Sequence, residues 1–136
     1  MAIKFPSDEW IKELGRVLNA SEAYAQCAAS WEGDLTFICQ PDQDYPGTAY
    51  LYLNLQHGKC LEAKQLGQPD EKKPMFTISA PFGNWRRVIE HRLDPLQGMF
   101  SGKLKVVGSM AQIQRTPKAT IELVACAARI ETDFSA

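Results

Sequence analysis

Few side chains in this sequence are of the types that perform acid–base, nucleophilic or metal chemistry. The candidates are two histidines, His57 and His91, and four cysteines. General acid–base catalysis needs a partner within hydrogen-bond reach, and nothing around either histidine indicates one. His57 precedes Gly58 in a predicted hairpin turn, and His91 falls on the polar face of a predicted helix, so both have structural explanations. The cysteines, which lie in apolar or periodic segments, are Cys27, Cys39, Cys60 and Cys126.

The cysteine spacing does not match the common metal and redox motifs. The sequence has no CxxC pair, and its two histidines are not spaced for a zinc site. Free cysteines of this kind are typically buried, reduced thiols. The alternative, a nucleophilic cysteine, would need exposure and a lowered thiol pKa. GxSxG, P-loop, GxGxxG and HExxH motifs are also missing from the sequence. We therefore expect no catalytic residue, no metal and no cofactor.

A stronger candidate for a functional site is a cavity between apolar faces. Ligand pockets bury most of a small molecule against aliphatic and aromatic walls. The alternative is that the same side chains form a close-packed core, which the residues alone favour because protein interiors normally pack without voids. The candidate wall residues are Leu51, Leu53, Phe76, Ile78, Trp85, Val88, Ile89, Met99, Phe100, Ile121 and Val124.

The helices that would position these side chains have recognisable starts. At each predicted start, a Ser, Thr, Asn or Asp residue precedes apolar residues that recur at helical spacing. Asp94 and Thr116 are each followed by proline, which suits the first helical position. Gly102 is expected to end the fourth helix. The predicted N-cap residues are Ser7, Ser21, Asn84, Asp94, Ser109 and Thr116.

Alternating apolar and polar residues predict five strands. In the second strand Leu51 and Leu53 share one face, opposite Tyr50 and Tyr52. In the third, Leu61 is expected to point inward. We expect the polar segment that follows to be a flexible link and the last residues of the chain to fray. The predicted strands are residues 35–40, 48–56, 59–66, 75–80 and 103–107.

The stretch from residue 85 to residue 110 has one further pattern, formed by Trp85, Asp94, Pro95, Met99, Gly102, Lys103, Leu104, Lys105 and Gly108. In this pattern the stretch resembles the sterol carrier protein 2 (SCP2) family. Such domains often have a helix with an aromatic residue, an Asp-Pro step, a methionine and a Gly-Lys-Leu-Lys strand closed by glycine. The resemblance implies one SCP2-like α+β domain over residues 1–136. Its five-stranded, mostly antiparallel sheet would be covered by about five helices, with a hydrophobic tunnel between the layers.

The function implied by this resemblance is non-catalytic. We expect binding, and intracellular transfer, of a long-chain fatty acid, an acyl chain or a sterol-like lipid. The alternative is an accessory or scaffold subunit that binds a partner enzyme, since similar domains occur within some alkylsulfatases and acetyltransferases. Tyr50 and Tyr52 would suit a protein-docking surface in that case.

The charge and the terminal sequences limit which partners and which cellular location we expect. The formal net charge is −1, from 15 basic and 16 acidic residues, and this balance gives no support to nucleic-acid binding by bulk electrostatics. Arg86, Arg87 and Arg92 are expected to contact an anionic membrane surface during lipid exchange; the alternative is a solvated helix face. The sequence has no spanning segment, signal peptide or terminal Ser-Lys-Leu, which predicts a cytoplasmic protein.

Overall fold

The computed structural model describes residues 1–135, which form six α-helices and seven strands. A short 3₁₀ turn, Pro69–Glu71, lies between the fourth and fifth strands. In chain order the elements are β1 (Ile3–Lys4), α1 (Asp8–Asn19), α2 (Glu22–Cys27), β2 (Glu32–Gln40), β3 (Ala49–Gln56), β4 (Lys59–Leu66), β5 (Phe76–Pro81), α3 (Phe82–Ile89), α4 (Pro95–Ser101), β6 (Lys105–Val107), α5 (Met110–Arg115), α6 (Pro117–Ala128) and β7 (Thr132–Asp133).

The main sheet has five strands in the order β4-β3-β2-β5-β6. Three of its pairings are antiparallel, and the pairing of β2 with β5 is parallel. The predicted α+β fold is thus confirmed, with one parallel pair that makes the sheet mixed. A parallel pair needs a crossover connection, which the chain between β2 and β5 supplies through the β3–β4 hairpin.

The sheet has one strongly apolar face, which follows from the alternation of side chains along each strand. In register, Phe37 of β2 lies opposite Leu51 of β3 and Ile78 of β5. Leu35 similarly lies between Leu53 and Phe76. The helices pack over this face, and the core lies between the two layers.

A β-bulge in β4 overturns the expected orientation of Leu61. The register of β4 against β3 shifts so that Leu55 pairs with Cys60 and Asn54 with Glu62, and this leaves Leu61 as the extra residue. Leu61 is 61% exposed. Cys60 turns inward instead, and its Sγ lies 3.1 Å from where a side chain on Gly15 of α1 would begin. The glycine therefore allows α1 to lie close against β4.

Helix α3 begins earlier than predicted, at Phe82, with Pro81 in the N-cap position. Phe82 is buried, and its ring stacks on the ring of Tyr45 with the centroids 5.2 Å apart. This packing extends the helix ahead of its expected start. Asn84 is inside the helix, and its side-chain amide donates to the Lys103 carbonyl at 3.1 Å. The predicted Asp94 cap is confirmed, since its carboxylate accepts from the N–H groups of Leu96 and Gln97.

The polar segment after β4 is not a free link. It folds across the outer face of the sheet, where the Lys72 ammonium lies 5.0 Å from the ring centroid of Tyr52 and 3.1 Å from a Glu62 carboxylate oxygen. The Tyr52 hydroxyl donates to Asp34 at 2.7 Å. Tyr52 is only 3% exposed as a result. This burial removes Tyr52 from the expected docking surface.

The last described residues, which were expected to fray, form a strand that pairs with the start of the chain. β1 and β7 form a parallel two-stranded sheet, in which Ile3 pairs with Thr132. The indole N–H of Trp10 donates to the Thr132 hydroxyl at 3.0 Å. The two termini are therefore tied to each other and to α1.

Candidate functional site

A cavity of about 80 Å³ lies between the sheet and the helices. Its walls come from β2, β3 and β5 on one side and from α3, α4, α5 and α6 on the other, with Tyr24 and Trp31 at the α2 end. The candidate residues that line it are Ile78, Trp85, Val88, Met99 and Val124. The lining residues that were not predicted are Tyr24, Trp31, Leu35, Phe37, Leu55, Pro95, Leu104, Ile113, Ala119, Thr120 and Leu123.

A second cavity, of about 50 Å³, lies towards α1. The candidate residues in its walls are Leu51, Trp85, Val88, Ile89 and Val124. Those that were not predicted are Phe5, Trp10, Leu14, Phe37, Cys39, Leu123 and Ala127. The sequence does carry a signal for four of these residues. Phe37 and Cys39 alternate on one face of β2, and Trp10 and Leu14 belong to the apolar stripe of α1.

The two cavities share part of their lining. The shared residues are Phe37, Trp85, Val88, Leu123 and Val124. The rings of Phe37 and Trp85 meet edge to face, 5.5 Å apart. The indole N–H of Trp85 donates to the Ile38 carbonyl at 2.9 Å, which holds the ring in place. Side chains common to both linings therefore lie between the two spaces.

Four candidate residues lie outside both linings. Leu53 and Phe76 are buried, at 0% and 1% exposed, but pack elsewhere in the core. Phe100 and Ile121 are on the surface, 62% and 49% exposed, so their expected place in the wall is wrong. Each follows a lining residue directly, Met99 or Thr120, and one step along a helix turns a side chain by about 100°.

The cavity walls suit burial of an apolar group and offer little for chemistry. Among the described residues, no Asp, Glu, Lys, Arg or His lines either space. The indole N–H groups of Trp31 and Trp85 are already bonded to the main-chain carbonyls of Gly33 and Ile38. Burial raises the pKa of the Tyr24 hydroxyl, so this wall residue stays neutral.

The histidines and cysteines do not assemble into a reactive group. His57 Nδ1 lies 2.9 Å from the Ala29 carbonyl, and its other ring nitrogen lies 3.7 Å from Glu32. Burial raises the pKa of the Cys39 thiol to about 12, with a smaller contribution from Asp42. Within residues 1–135, no cluster of three His, Cys, Asp or Glu side chains could hold a metal ion.

The predicted basic set is partly neutralised. Arg86 Nε lies 3.3 Å from Glu90, and Arg92 forms an ion pair with the same carboxylate. Burial alone would raise the pKa of Glu90, but its bonds to Arg92 and Arg86 lower it overall. Arg87 has no carboxylate within ion-pair distance in the described part of the chain.

Several solved structures share this fold. The chain resembles a crystal structure of sterol carrier protein 2, with 34% identity, a TM-score of 0.83, and coverage of 91% of this chain and 97% of that one. A conserved hypothetical protein from Thermus thermophilus, described as possibly a sterol carrier protein, is 34% identical at a TM-score of 0.82, covering 92% and 88%. Sterol carrier protein 2 from Yarrowia lipolytica, 15% identical at a TM-score of 0.60 and covering 95% and 99%, shares the fold.

A comparison with curated proteins found no match. No helix among residues 1–135 is both long enough and apolar enough to span a bilayer. The model of the SCP-2 sterol transfer family matches residues 11–119, which is most of the chain. The chain therefore belongs to the SCP-2 sterol transfer family.

Proposed function

We propose that this protein binds one hydrophobic lipid, a fatty acid, an acyl chain or a sterol-like molecule, in the apolar space between sheet and helices. Membership of the family implies lipid binding or transfer, and such domains are generally non-enzymatic. The observation that supports the proposal most directly is the pair of apolar cavities with a shared lining. The proposed wall includes Leu51, Ile78, Trp85, Val88, Ile89, Met99 and Val124.

The energetics favour a long apolar guest. Each buried CH₂ group contributes ~0.8 kcal/mol, so a hydrocarbon chain binds well without polar contacts. The walls present no charged side chain in the described residues to a carboxylate or phosphate. We infer that the polar end of the ligand stays outside, at the mouth of the cavity.

The size of the cavities implies that the protein adjusts to its ligand. Neither 80 Å³ nor 50 Å³ reaches the ~150 Å³ of an engineered cavity that holds benzene. A long chain therefore has to displace the side chains between the two spaces and occupy both. Leu123 is one of the side chains between the two spaces and is half-buried, and the flexible side chain of Met99 in the larger cavity can move to make room.

The three tryptophans offer a direct test, because each lines a cavity: Trp31 the first, Trp10 the second and Trp85 both. A fatty acid brominated along its chain should quench most of the tryptophan fluorescence, and unlabelled palmitate should compete. Native mass spectrometry of delipidated protein mixed with palmitate should show a one-to-one complex. Unquenched fluorescence together with only the bare chain in the mass spectrum would overturn the proposal.

A second candidate function is that of an accessory or scaffold subunit that docks on a partner enzyme. The outer face of the sheet supports it, because Tyr50 is half-exposed on β3 there. Capture of the same partner by delipidated and lipid-loaded protein, with loss of capture in Tyr50→Lys, would favour this role. Capture that depends on lipid loading would favour the carrier.

Contact with an anionic membrane through Arg86, Arg87 and Arg92 belongs to the carrier proposal. Because Glu90 pairs with two of these arginines, Arg87 should dominate any such contact. Arg87→Glu should then slow lipid transfer to anionic vesicles more than Arg92→Glu does. A cytoplasmic location is part of the same proposal, and the free thiols of Cys39 and Cys126 support it.

A further inference from the structure

The two cavities differ in the polar groups of their walls. The lining of the larger cavity has two side-chain hydroxyl groups, one on Tyr24 of α2 and one on Thr120 of α6. Among the described residues that line the smaller cavity, no side chain carries a hydroxyl. A guest that fills both spaces therefore meets hydroxyl groups in the larger space and none in the smaller.

The Tyr24 hydroxyl is buried without a hydrogen-bond partner. Tyr24 is 1% exposed, and within residues 1–135 its side-chain oxygen neither donates to nor accepts from another group. Tyr52, which is also buried, shows the usual arrangement, since its hydroxyl donates to Asp34 at 2.7 Å. A buried hydroxyl without a partner has given up its bonds to water without compensation. A hydrogen bond between Tyr24 and a ligand would therefore be favourable.

The unpartnered oxygen of Tyr24 faces the larger cavity. Among the described residues, two side-chain oxygen atoms lack both a hydrogen-bond partner and access to any free space, and these are Thr36 Oγ1 and Glu122 Oε2. The Tyr24 oxygen is not one of them, so it borders free space. The space that Tyr24 lines is the larger cavity.

The chemistry of this wall favours an uncharged oxygen on the guest. Burial raises the pKa of the Tyr24 hydroxyl, so the group keeps its proton and can donate it to an acceptor. No Lys, Arg or His among the described residues lines the cavity, so a carboxylate or phosphate would be buried there without a counter-charge. A hydroxyl or carbonyl oxygen carries no net charge and avoids that cost.

We propose that Tyr24 selects lipids that carry an uncharged oxygen, a hydroxyl or a carbonyl, on the apolar part that enters the larger cavity. The Tyr24 hydroxyl donates a hydrogen bond to that oxygen, while plain hydrocarbon fills the smaller cavity. A saturated chain without such an oxygen also binds, but it leaves Tyr24 without a partner. The inference rests on the proposed function, because it names which hydrophobic ligands that same site prefers.

The test compares pairs of ligands that differ by one oxygen. Palmitate is paired with ω-hydroxypalmitate, and stearate with a stearate that bears a hydroxyl at mid-chain, each as a competitor of the brominated fatty acid. At least one hydroxylated acid should bind the wild type as tightly as its parent acid or more tightly, although an unpartnered hydroxyl is costly to bury. Tyr24→Phe should weaken binding of that hydroxylated acid about tenfold and change the affinity for its parent less than about twofold.

Tyr45→Phe is the matched control. Tyr45 is half-buried, its ring stacks on Phe82, and it lines neither cavity, so this variant should bind all four acids like the wild type. The melting temperature tests whether the Tyr24 hydroxyl lacks a partner. Tyr24→Phe should not lower the melting temperature, whereas Tyr52→Phe should lower it through loss of the bond to Asp34.

Three results would overturn the proposal and leave lipid binding intact. The first is that both hydroxylated acids bind the wild type more weakly than their parents. The second is that Tyr24→Phe binds both hydroxylated acids as tightly as the wild type does. The third is that Thr120→Val removes the preference and Tyr24→Phe keeps it. If neither palmitate nor stearate displaced the brominated acid from the wild type, the proposed function itself would fail.

Discussion

The indole Nε1–H of Trp85 donates a 2.9 Å hydrogen bond to the main-chain carbonyl of Ile38. This bond joins α3 to β2 across the lining shared by the two cavities, where Trp85 also meets the edge of Phe37. A side chain held in this way limits how easily the two spaces become one. The first two predictions follow from this contact.

Trp85→Phe keeps an aromatic ring in the wall but removes the hydrogen bond. Loss of one buried hydrogen bond should lower the free energy of unfolding by about 1–2 kcal/mol. Since the smaller ring is free to move, affinity for a fluorescent acyl chain should stay the same or rise. Urea unfolding measures the change in stability, and titration with the fluorescent acyl chain measures the change in affinity. A tenfold loss of affinity would contradict the view that Trp85 limits how easily the two cavities join.

Trp85→Ala removes the ring and joins the cavities. The free energy of unfolding should fall by about 3–5 kcal/mol, as for other large-to-small changes in a core. Palmitate should recover part of this loss, because a ligand that binds only the folded state raises the melting temperature. A melting temperature that palmitate leaves unchanged, in both this variant and the wild type, would argue against an acyl ligand.

Two alanines test the cavities separately. Ala119 lines the larger cavity and Ala127 the smaller, and both are buried. If one chain occupies both spaces, Ala119→Leu and Ala127→Leu should each weaken acyl binding about tenfold while costing ~1–3 kcal/mol of stability through overpacking. Ala111→Leu, on the exposed side of α5, is the control and should leave affinity unchanged. Weakening by only one of the two would mean that the ligand occupies one cavity.

Thiol reactivity tests the absence of a cysteine nucleophile. Burial raises the pKa of Cys39 to about 12 and also raises the pKa values of Cys60 and Cys126. These thiols should therefore be protonated and slow to react with Ellman's reagent at neutral pH, and should react fully after unfolding in urea. Rapid modification of Cys39 in the folded protein would revive the enzyme hypothesis.

The ion pair on the outer face of the sheet should give acid-sensitive stability. The hydrogen bond from Lys72 lowers the pKa of Glu62 below its usual 4.5. The folded state therefore binds this proton less readily than the unfolded state, so the stabilisation is present above pH 4.5 and is lost as the pH falls through the lowered value. Glu62→Gln should show a smaller loss of stability than the wild type between neutral pH and about pH 3. If Glu62→Gln and the wild type lost the same amount of stability over this pH range, the Lys72–Glu62 pair would not be a source of the acid sensitivity.

Local signals in the sequence predicted much of the fold. Ser7, Ser21, Asp94 and Ser109 all cap helices through their side chains, as expected. Such caps depend on residues within one turn, so spacing along the chain reveals them. Gly102 ends α4 with a φ of 81°, which is also a local property.

The features that the sequence did not reveal depend on residues far apart in the chain. Leu61 faces out because of a register shift against Asn54 and Leu55, and alternation within β4 contains no sign of it. The parallel pairing of Ile3 with Thr132 likewise joins segments that carry no mutual signal. In both cases the partner strand decided the outcome.

The sequence by itself determined the fold family and which side chains are apolar enough to be inside. Only the tertiary structure decided which of them border free space: Phe37 and Leu123 line both cavities, whereas Leu53 and Phe76 pack tightly and Phe100 lies on the surface. The physical reason is that a cavity is a mismatch between surfaces of separate elements. Side-chain volumes are local, but the gaps they leave depend on how the helices and the sheet come together.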